Sequence, residues 1–183
     1  MTRQECLDLL HEYTKTESLR THALAVEAAM RAYARSFGED EETWGAVGLL
    51  HDFDYEQNQQ VPDHPMKGSE ILKQRGFPEE LRRVILSHVP AMNVPRDSKM
   101  AQTLFACDEL CGFIVAVAVI RPNKIADLEV SSVKKKLKDK AFARSVSRED
   151  ILQGAAEAGF VLDDHIRFVI GALKPVAPQL GLA

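Results

Sequence analysis

The sequence predicts an all-α fold, and three observations favour it. Apolar residues recur three and four positions apart along most of the 183 residues, which is the spacing of one helix face. No segment shows the alternation of apolar and polar residues, bounded by turn residues, that is typical of strands. Several glycines and prolines fall between the periodic segments, where helices begin and end: Gly38, Pro65, Gly76, Pro78, Pro90 and Pro122.

The first part of the chain divides into three helices and a polar loop. We expect a short helix over about residues 3–13 and a longer one over about residues 17–37. Gly38 closes the second helix, because glycine adopts the left-handed conformation common at helix ends. A third helix is expected near residues 41–52, and the polar stretch 53–60 predicts a loop.

Prolines divide the middle of the chain. Pro65 suits the first position of a helix that runs to about residue 75, and it leaves His64 just outside that helix. Pro78 opens another helix, which must stop near His88 because a proline follows at position 90. A long helix is expected over about residues 98–120.

The last third contains a basic stretch over residues 131–148, a helix opened by a capping pattern at Ser147, and a helix over about residues 163–174. No clear linker interrupts the chain. We therefore expect one domain over residues 1–183, with a core over about 17–121 and a C-terminal helical extension over about 122–183.

Composition narrows the class of protein. Hydrophobic residues make up 45% and charged residues 27%, as in folded globular chains, and the net charge of -4 disfavours bulk nucleic acid as a partner. Three cysteines without a CxxC pair fit a reducing cytoplasm. The N-terminus lacks the apolar core of a signal peptide, and the most apolar run, residues 110–120, is shorter than the about 20 residues of a membrane span. We expect no membrane partner.

Four histidines and two aspartates occupy positions that the predicted helices alone do not explain. Asp108 and His22 lie on apolar helix stripes, where an unpaired polar group is costly. Neighbours on a helix project about 100° apart, so His51 and Asp52 share an ion only beyond the helix end or through a bridging carboxylate. His64 and His88 lie at helix ends, where a side chain can turn inward.

Imidazole nitrogen and carboxylate oxygen together suit a divalent transition metal such as Fe, Mn, Zn, Co or Ni better than calcium. Six such donors exceed one tetrahedral site, so we expect one or two ions. Taken singly, His22 also fits a hydrogen-bonded core histidine, and Asp108 a buried ion pair.

The order of these residues resembles the HD-domain superfamily of metal-dependent phosphohydrolases over about residues 18–120. The resemblance is carried by His22, Leu49-Leu50-His51-Asp52-Phe53, His64, Ile85-Leu86-Ser87-His88 and Ala106-Cys107-Asp108-Glu109. It implies an all-helical bundle in which His22, His51, Asp52 and Asp108 hold one ion. It also implies that His64 and His88 hold a second ion with bridging Asp52, which would be the catalytic residue.

The segment after the His-Asp pair departs from the common family pattern, because the lysine often found there is absent. The chain has Phe53-Asp54-Tyr55-Glu56 instead. Asp54 and Glu56 are candidates for a general acid or base, or for acceptors that orient a histidine. An exposed loop without a role in the site is the alternative for both.

A basic cluster follows the Asp108 helix. Residues 121–148 contain nine basic and three acidic residues, a local charge of +6 against -10 for the remainder. Arg121, Lys124 and Lys135 are candidates for binding substrate phosphate, and a solvated helix face is the alternative. His11, His165, Cys107 and Cys111 are expected to be structural.

These features favour a metal-dependent phosphohydrolase that acts on a small phosphorylated compound, with a nucleotide as the leading expectation. Because small members of the superfamily with a similar donor set include such enzymes, a dinucleoside polyphosphate hydrolase is a stricter candidate. An HD-type diiron oxygenase and a non-catalytic metal-dependent nucleotide-binding module are the alternatives. The basic cluster favours the hydrolase and the module, and the six donors favour the hydrolase over the module.

Overall fold

A computed structural model describes residues 2–183 of the chain. These residues form nine α-helices and no strand, so the predicted all-α fold is confirmed. The helices are α1 (Arg3–Tyr13), α2 (Glu17–Phe37), α3 (Glu41–Leu50), α4 (Asp63–Gln74), α5 (Glu79–Ser87), α6 (Lys99–Val119), α7 (Val130–Leu137), α8 (Arg148–Glu157) and α9 (Leu162–Leu173). Short 3-10 helices follow α5 and α9.

Two 21-residue helices, α2 and α6, form the centre of the bundle and pack against each other. Helix α3 lies closely along α2. At Gly48 an added Cβ would lie only 3.0 Å from the Val26 carbonyl oxygen, so glycine permits this approach. Close packing of α2 on α3 brings His22 of α2 and His51, the cap of α3, to the same end of the core.

The C-terminal helices pack on the helix that carries Asp108. An added Cβ at Gly154 of α8 would lie 2.7 Å from the Ala106 Cα, so the two backbones are in direct contact. His165 of α9 donates from Nε2 to the Ala106 carbonyl oxygen at 2.9 Å, and its Nδ1 lies 2.6 Å from the Tyr33 hydroxyl. The residues after position 121 therefore support α6.

Helix α6 is long and apolar enough to cross a membrane by length and composition alone. However, 61% of its apolar window is buried inside the protein, as expected for the core helix of a bundle. A core role therefore accounts for its apolar character.

Helix ends near the proposed donors show why these side chains are free to converge. Helix α3 ends at Leu50, two residues earlier than expected, and His51 caps it before a series of turns. His64 lies within the bounds of α4 but has an extended backbone (φ -84°, ψ 128°), so the regular helix begins at Pro65 as predicted. His88 caps α5.

Candidate metal centre

Six side chains from five parts of the bundle converge at one end of the core. His22 comes from α2 and Asp108 from α6, whereas the other four come from helix ends and the turns after α3. They form two sets of potential metal ligands that share Asp52. We call His22, His51, Asp52 and Asp108 the first donor group, and Asp52, His64 and His88 the second donor group.

The first donor group is compact. His22 Nε2 lies 3.0 Å from Asp108 Oδ1 and 3.2 Å from His51 Nε2. His51 Nε2 lies 3.3 Å from Asp108 Oδ1. Asp52 Oδ2 completes the group at 3.6 Å from His51 Nε2 and 3.8 Å from His22 Nε2.

The second donor group uses the other oxygen of the same aspartate. Asp52 Oδ1 lies 3.1 Å from His88 Nε2 and 3.2 Å from His64 Nε2. Each oxygen of Asp52 thus faces a different set of imidazole nitrogens. Asp52 is therefore the residue that the two donor groups share.

Hydrogen bonds on the far side of three rings fix which nitrogen faces the centre. His51 Nδ1 donates to the Gly48 carbonyl oxygen at 2.7 Å, and His88 Nδ1 donates to the Ile85 carbonyl oxygen at 2.5 Å. His64 Nδ1 donates to Asp54 Oδ1 at 2.9 Å. Because each neutral ring then carries its proton on Nδ1, each Nε2 directs a lone pair into the centre.

The residues fit a metal. At separations of 3.0–3.3 Å, two of these atoms that present lone pairs to each other repel unless a proton or a metal ion lies between them. Metal–nitrogen bonds of about 2.1 Å at angles of about 90–109° place donor atoms about 3.0–3.4 Å apart, which matches these distances. The donor set suits a first-row transition metal.

The electrostatics of the cluster also favour a cation. Burial lowers the pKa of His51, but attraction from Asp52 and Asp108 outweighs burial and raises this pKa to about 9. Burial raises the pKa of Asp52, but His51, His64 and His88 together hold it well below its usual range. The pKa of Asp108 is lowered in the same way by His51 and His22. The two carboxylates therefore stay ionised and attract positive charge.

Asp54 orients a donor of the second group. Its side chain is buried and accepts hydrogen bonds from His64 Nδ1 at 2.9 Å and from the Gly68 backbone N–H at 3.0 Å. An added Cβ at Gly68 would lie 2.6 Å from Asp54 Oδ1, so glycine is needed for this approach. Of the roles considered for Asp54, the geometry matches the acceptor that holds a histidine.

Glu56 lies outside the centre, contrary to its candidate role there. Its carboxylate accepts hydrogen bonds from the backbone N–H groups of Lys15 and Thr16 at 2.7 and 3.0 Å. These bonds lower the pKa of Glu56. It ties the loop after α3 to the beginning of α2, where free N–H groups attract a carboxylate.

A cavity of about 350 Å³ opens onto five of the six donor residues, all except the fully buried His51. Besides the donor side chains, its lining includes Tyr55, Gln59, Phe105, Glu109, Ser145 and Asp150. Burial and the neighbouring Asp108 raise the pKa of Glu109 to about 7. A larger cavity of about 790 Å³ lies between α3, α5 and the start of α6 and contains none of the six donors.

The sequence did not single out Asp150, Tyr55 or Gln59 as residues of the site. Tyr55 and Gln59 follow the His-Asp pair closely, and this proximity was the one available signal. Asp150 had none, because it reaches the cavity only through the packing of α8 on α6.

The structure does not bring Arg121, Lys124 and Lys135 to the cavity. Helix α6 carries Val119 about 16 Å beyond Asp108, so the helix end lies far from the donors. Arg121 pairs with Asp127 at 2.8 Å, and Lys124 donates to the Gly181 carbonyl oxygen at 2.9 Å. Lys135 lines a separate groove with other residues of α7 and α9. Segment charge alone did not reveal which way these side chains face.

Comparisons with known proteins give two findings. The sequence profile of the family described as "HD domain" matches residues 19–112, just over half of the chain. A tRNA (cytidine(56)-2'-O)-methyltransferase of Thermoplasma volcanium is 27% identical over an alignment of 110 positions, which covers 55% of this chain and 32% of that protein. The chain thus spans about a third of the length of that curated relative. No solved structure matches significantly.

Proposed function

Because this chain belongs to the HD domain family, we propose that it is a metal-dependent phosphohydrolase acting on a small phosphorylated compound such as a nucleotide. The observation that carries the proposal is the position of Asp52, whose two oxygens face two separate sets of histidines at 3.1–3.8 Å. A bridged pair of ions is one known arrangement for in-line displacement at phosphorus.

Divalent ions held there would lower the pKa of a bound water and polarise a phosphoryl oxygen. Asp52 would fix the spacing of the two donor groups. Asp54 would keep the Nε2 atom of His64 directed at the centre. In the lining, the Tyr55 hydroxyl, the Gln59 amide and the Ser145 hydroxyl can donate hydrogen bonds to substrate oxygens.

The donor chemistry supports Fe, Mn, Zn, Co or Ni as the resident ion, since imidazole nitrogen predominates over oxygen. The three cysteines are buried and free, which fits the reducing cytoplasm that we propose for the protein.

A diiron oxygenase is the second candidate, and one observation favours it. Among residues 2–183, no lysine or arginine lines the cavity that opens onto the donors. Oxygen chemistry needs no cation for phosphate, whereas many phosphate sites use one.

Metal analysis of protein purified without added metal, followed by assays under air and under nitrogen, separates the two candidates. We expect up to two transition-metal ions per chain and equal hydrolysis of phosphate esters in both atmospheres. Product that forms only under air with iron bound would overturn the hydrolase proposal and support the oxygenase.

A further inference from the structure

We propose that the metal cavity selects a phosphodiester, which carries one negative charge, over phosphomonoester dianions and polyphosphates. We further propose that Asp150 contributes to this selection. The inference rests on the proposed hydrolase function and names its substrate class. It follows from the charges that line the cavity and from the positions of the nearby cations.

The lining of the cavity is acidic, which disfavours the binding of a polyanion. Asp52, Asp108, Glu109 and Asp150 all line it, and within residues 2–183 no lysine or arginine does. When all four are ionised, they match the charge of two divalent ions, and with a single ion the cavity would be negative. Because a cavity without net positive charge does not offset the larger desolvation cost of a dianion, a substrate with one negative charge enters at lower cost.

Arginines close to the cavity walls are engaged in structural contacts. Arg148 donates to the carbonyl oxygens of Ala143 and Val146 at 2.5 and 2.8 Å, and its guanidinium lies over the Phe113 ring. Arg96 forms two hydrogen bonds with Glu157 and a third with the Ser87 carbonyl oxygen.

One arginine lies next to the cavity in sequence. Arg144 precedes the lining residue Ser145, but it is exposed and is not part of the lining. Solvent and salt screen its charge more than that of a group inside the cavity.

Asp150 is held in place on the cavity wall. It lies in the first turn of α8, where its backbone N–H donates to the Ser147 side chain at 3.1 Å. The Ser147 backbone N–H in turn donates to Glu109 at 3.2 Å, which ties this turn to α6. Glu149, its neighbour in sequence, is exposed and does not line the cavity.

These positions provide a matched pair of variants. Asp150→Asn removes a negative charge from the wall, whereas Glu149→Gln removes one from the exposed side of the same turn. A carboxylate within roughly 8 Å of the phosphorus repels a dianion about twice as strongly as a monoanion. We therefore expect Asp150→Asn to raise kcat/KM for a monoester relative to a diester about threefold, and Glu149→Gln to leave the ratio unchanged.

The experiment compares bis(p-nitrophenyl) phosphate with p-nitrophenyl phosphate, which share a leaving group, on the metal-loaded full chain at mildly alkaline pH. Calorimetry with phenylphosphonate, a dianion, and with its monomethyl ester, a monoanion, measures the same preference by binding. The wild type is expected to hydrolyse the diester faster and to bind the monoanion more tightly. Asp150→Asn should narrow both differences.

The outcomes separate this inference from the function on which it rests. Faster monoester hydrolysis with tighter dianion binding would overturn the inference and leave the hydrolase proposal standing. Hydrolysis of neither ester with metal bound would count against the hydrolase, while the binding preference would still decide the charge selection. Equal effects of Asp150→Asn and Glu149→Gln would remove Asp150 from the proposal.

Discussion

The two donor groups of the candidate metal centre differ in how the chain holds them in place. In the first group, His22 and Asp108 lie within α2 and α6, and His51 is a fully buried cap of α3; the buried faces of these helices form the core. In the second group, His64 and His88 lie at helix ends, and His64 depends on Asp54 and the glycine beside it.

This difference indicates which donors of the site tolerate a local change in the structure. Donors fixed by packed helices share their support with many core residues, so one local change moves them little. A donor oriented by one carboxylate in a loop can be displaced by one methyl group. When the site is perturbed, we therefore expect the second donor group to lose its ion first and the first donor group to keep its ion.

Removing the shared residue should have the largest effect. Asp52→Ala takes an oxygen from both donor groups, so we expect loss of the second ion and a fall in activity. Loss of a residue that only orients a ligand costs about 10–100-fold, so loss of this ligand should cost more than about 100-fold. Inductively coupled plasma mass spectrometry and an ester hydrolysis assay measure the two effects.

Asp63→Ala is the control for Asp52→Ala, since Asp63 is an exposed acid whose carboxylate pairs with Lys67 at 2.7 Å. It should keep full metal content and activity. A folded Asp52→Ala protein with two ions and full activity would show that Asp52 does not bridge the groups.

A methyl group at Gly68 should separate the two groups. Gly68→Ala would place a Cβ 2.6 Å from Asp54 Oδ1 and push that carboxylate away from His64. We expect affinity for the second ion to fall about 10–100-fold, with the first ion retained. Titration of metal-free protein with Mn²⁺ or Zn²⁺, followed by calorimetry, resolves the two sites.

Gly171→Ala provides the matched control, because Gly171 also lies in a helix and an added Cβ there meets nothing within 4 Å. It should keep both ions and gain about 0.5–1 kcal/mol in free energy of unfolding. Equal weakening of both ions by Gly68→Ala would mean that the groups are not supported independently.

The sequence predicted the donor positions better than the walls of the cavity. His22 and Asp108 were conspicuous because a polar group on an apolar helix stripe is costly, and this cost can be read from local spacing alone. Asp54 was found because it follows the His-Asp pair closely. Asp150 and Arg121 could not be placed, since their surroundings depend on how distant helices dock and on which partner each charge meets.

The support behind the first donor group can also be tested. Gly154→Ala forces α8 away from α6, because the added Cβ would lie 2.7 Å from the Ala106 Cα. The overpacking cost of about 1–3 kcal/mol exceeds the gain of about 0.5–1 kcal/mol in helix propensity. We expect a lower midpoint of chemical denaturation and two bound ions. Loss of the first ion would show that its donors depend on α8 more than on the core.

The smallest expected effect is a change in how stability depends on pH. Burial lowers the pKa of His165, which stays neutral while it holds the Ala106 carbonyl oxygen behind Asp108. Below about pH 6.5 this histidine binds a proton in the unfolded chain but resists protonation in the folded chain. The free energy of unfolding therefore decreases as the pH is lowered.

His165→Gln keeps a donor for Ala106 and an acceptor for Tyr33 but does not titrate. Urea denaturation between about pH 7.5 and pH 5.5 should therefore show a shallower loss of stability in the variant than in the wild type. Both proteins retain the six metal donors, so the difference between their slopes isolates His165. Equal slopes would mean that His165 takes up a proton as readily in the folded chain as in the unfolded chain. The contact between α9 and α6 that supports the first donor group would then be more accessible to water than its packing indicates.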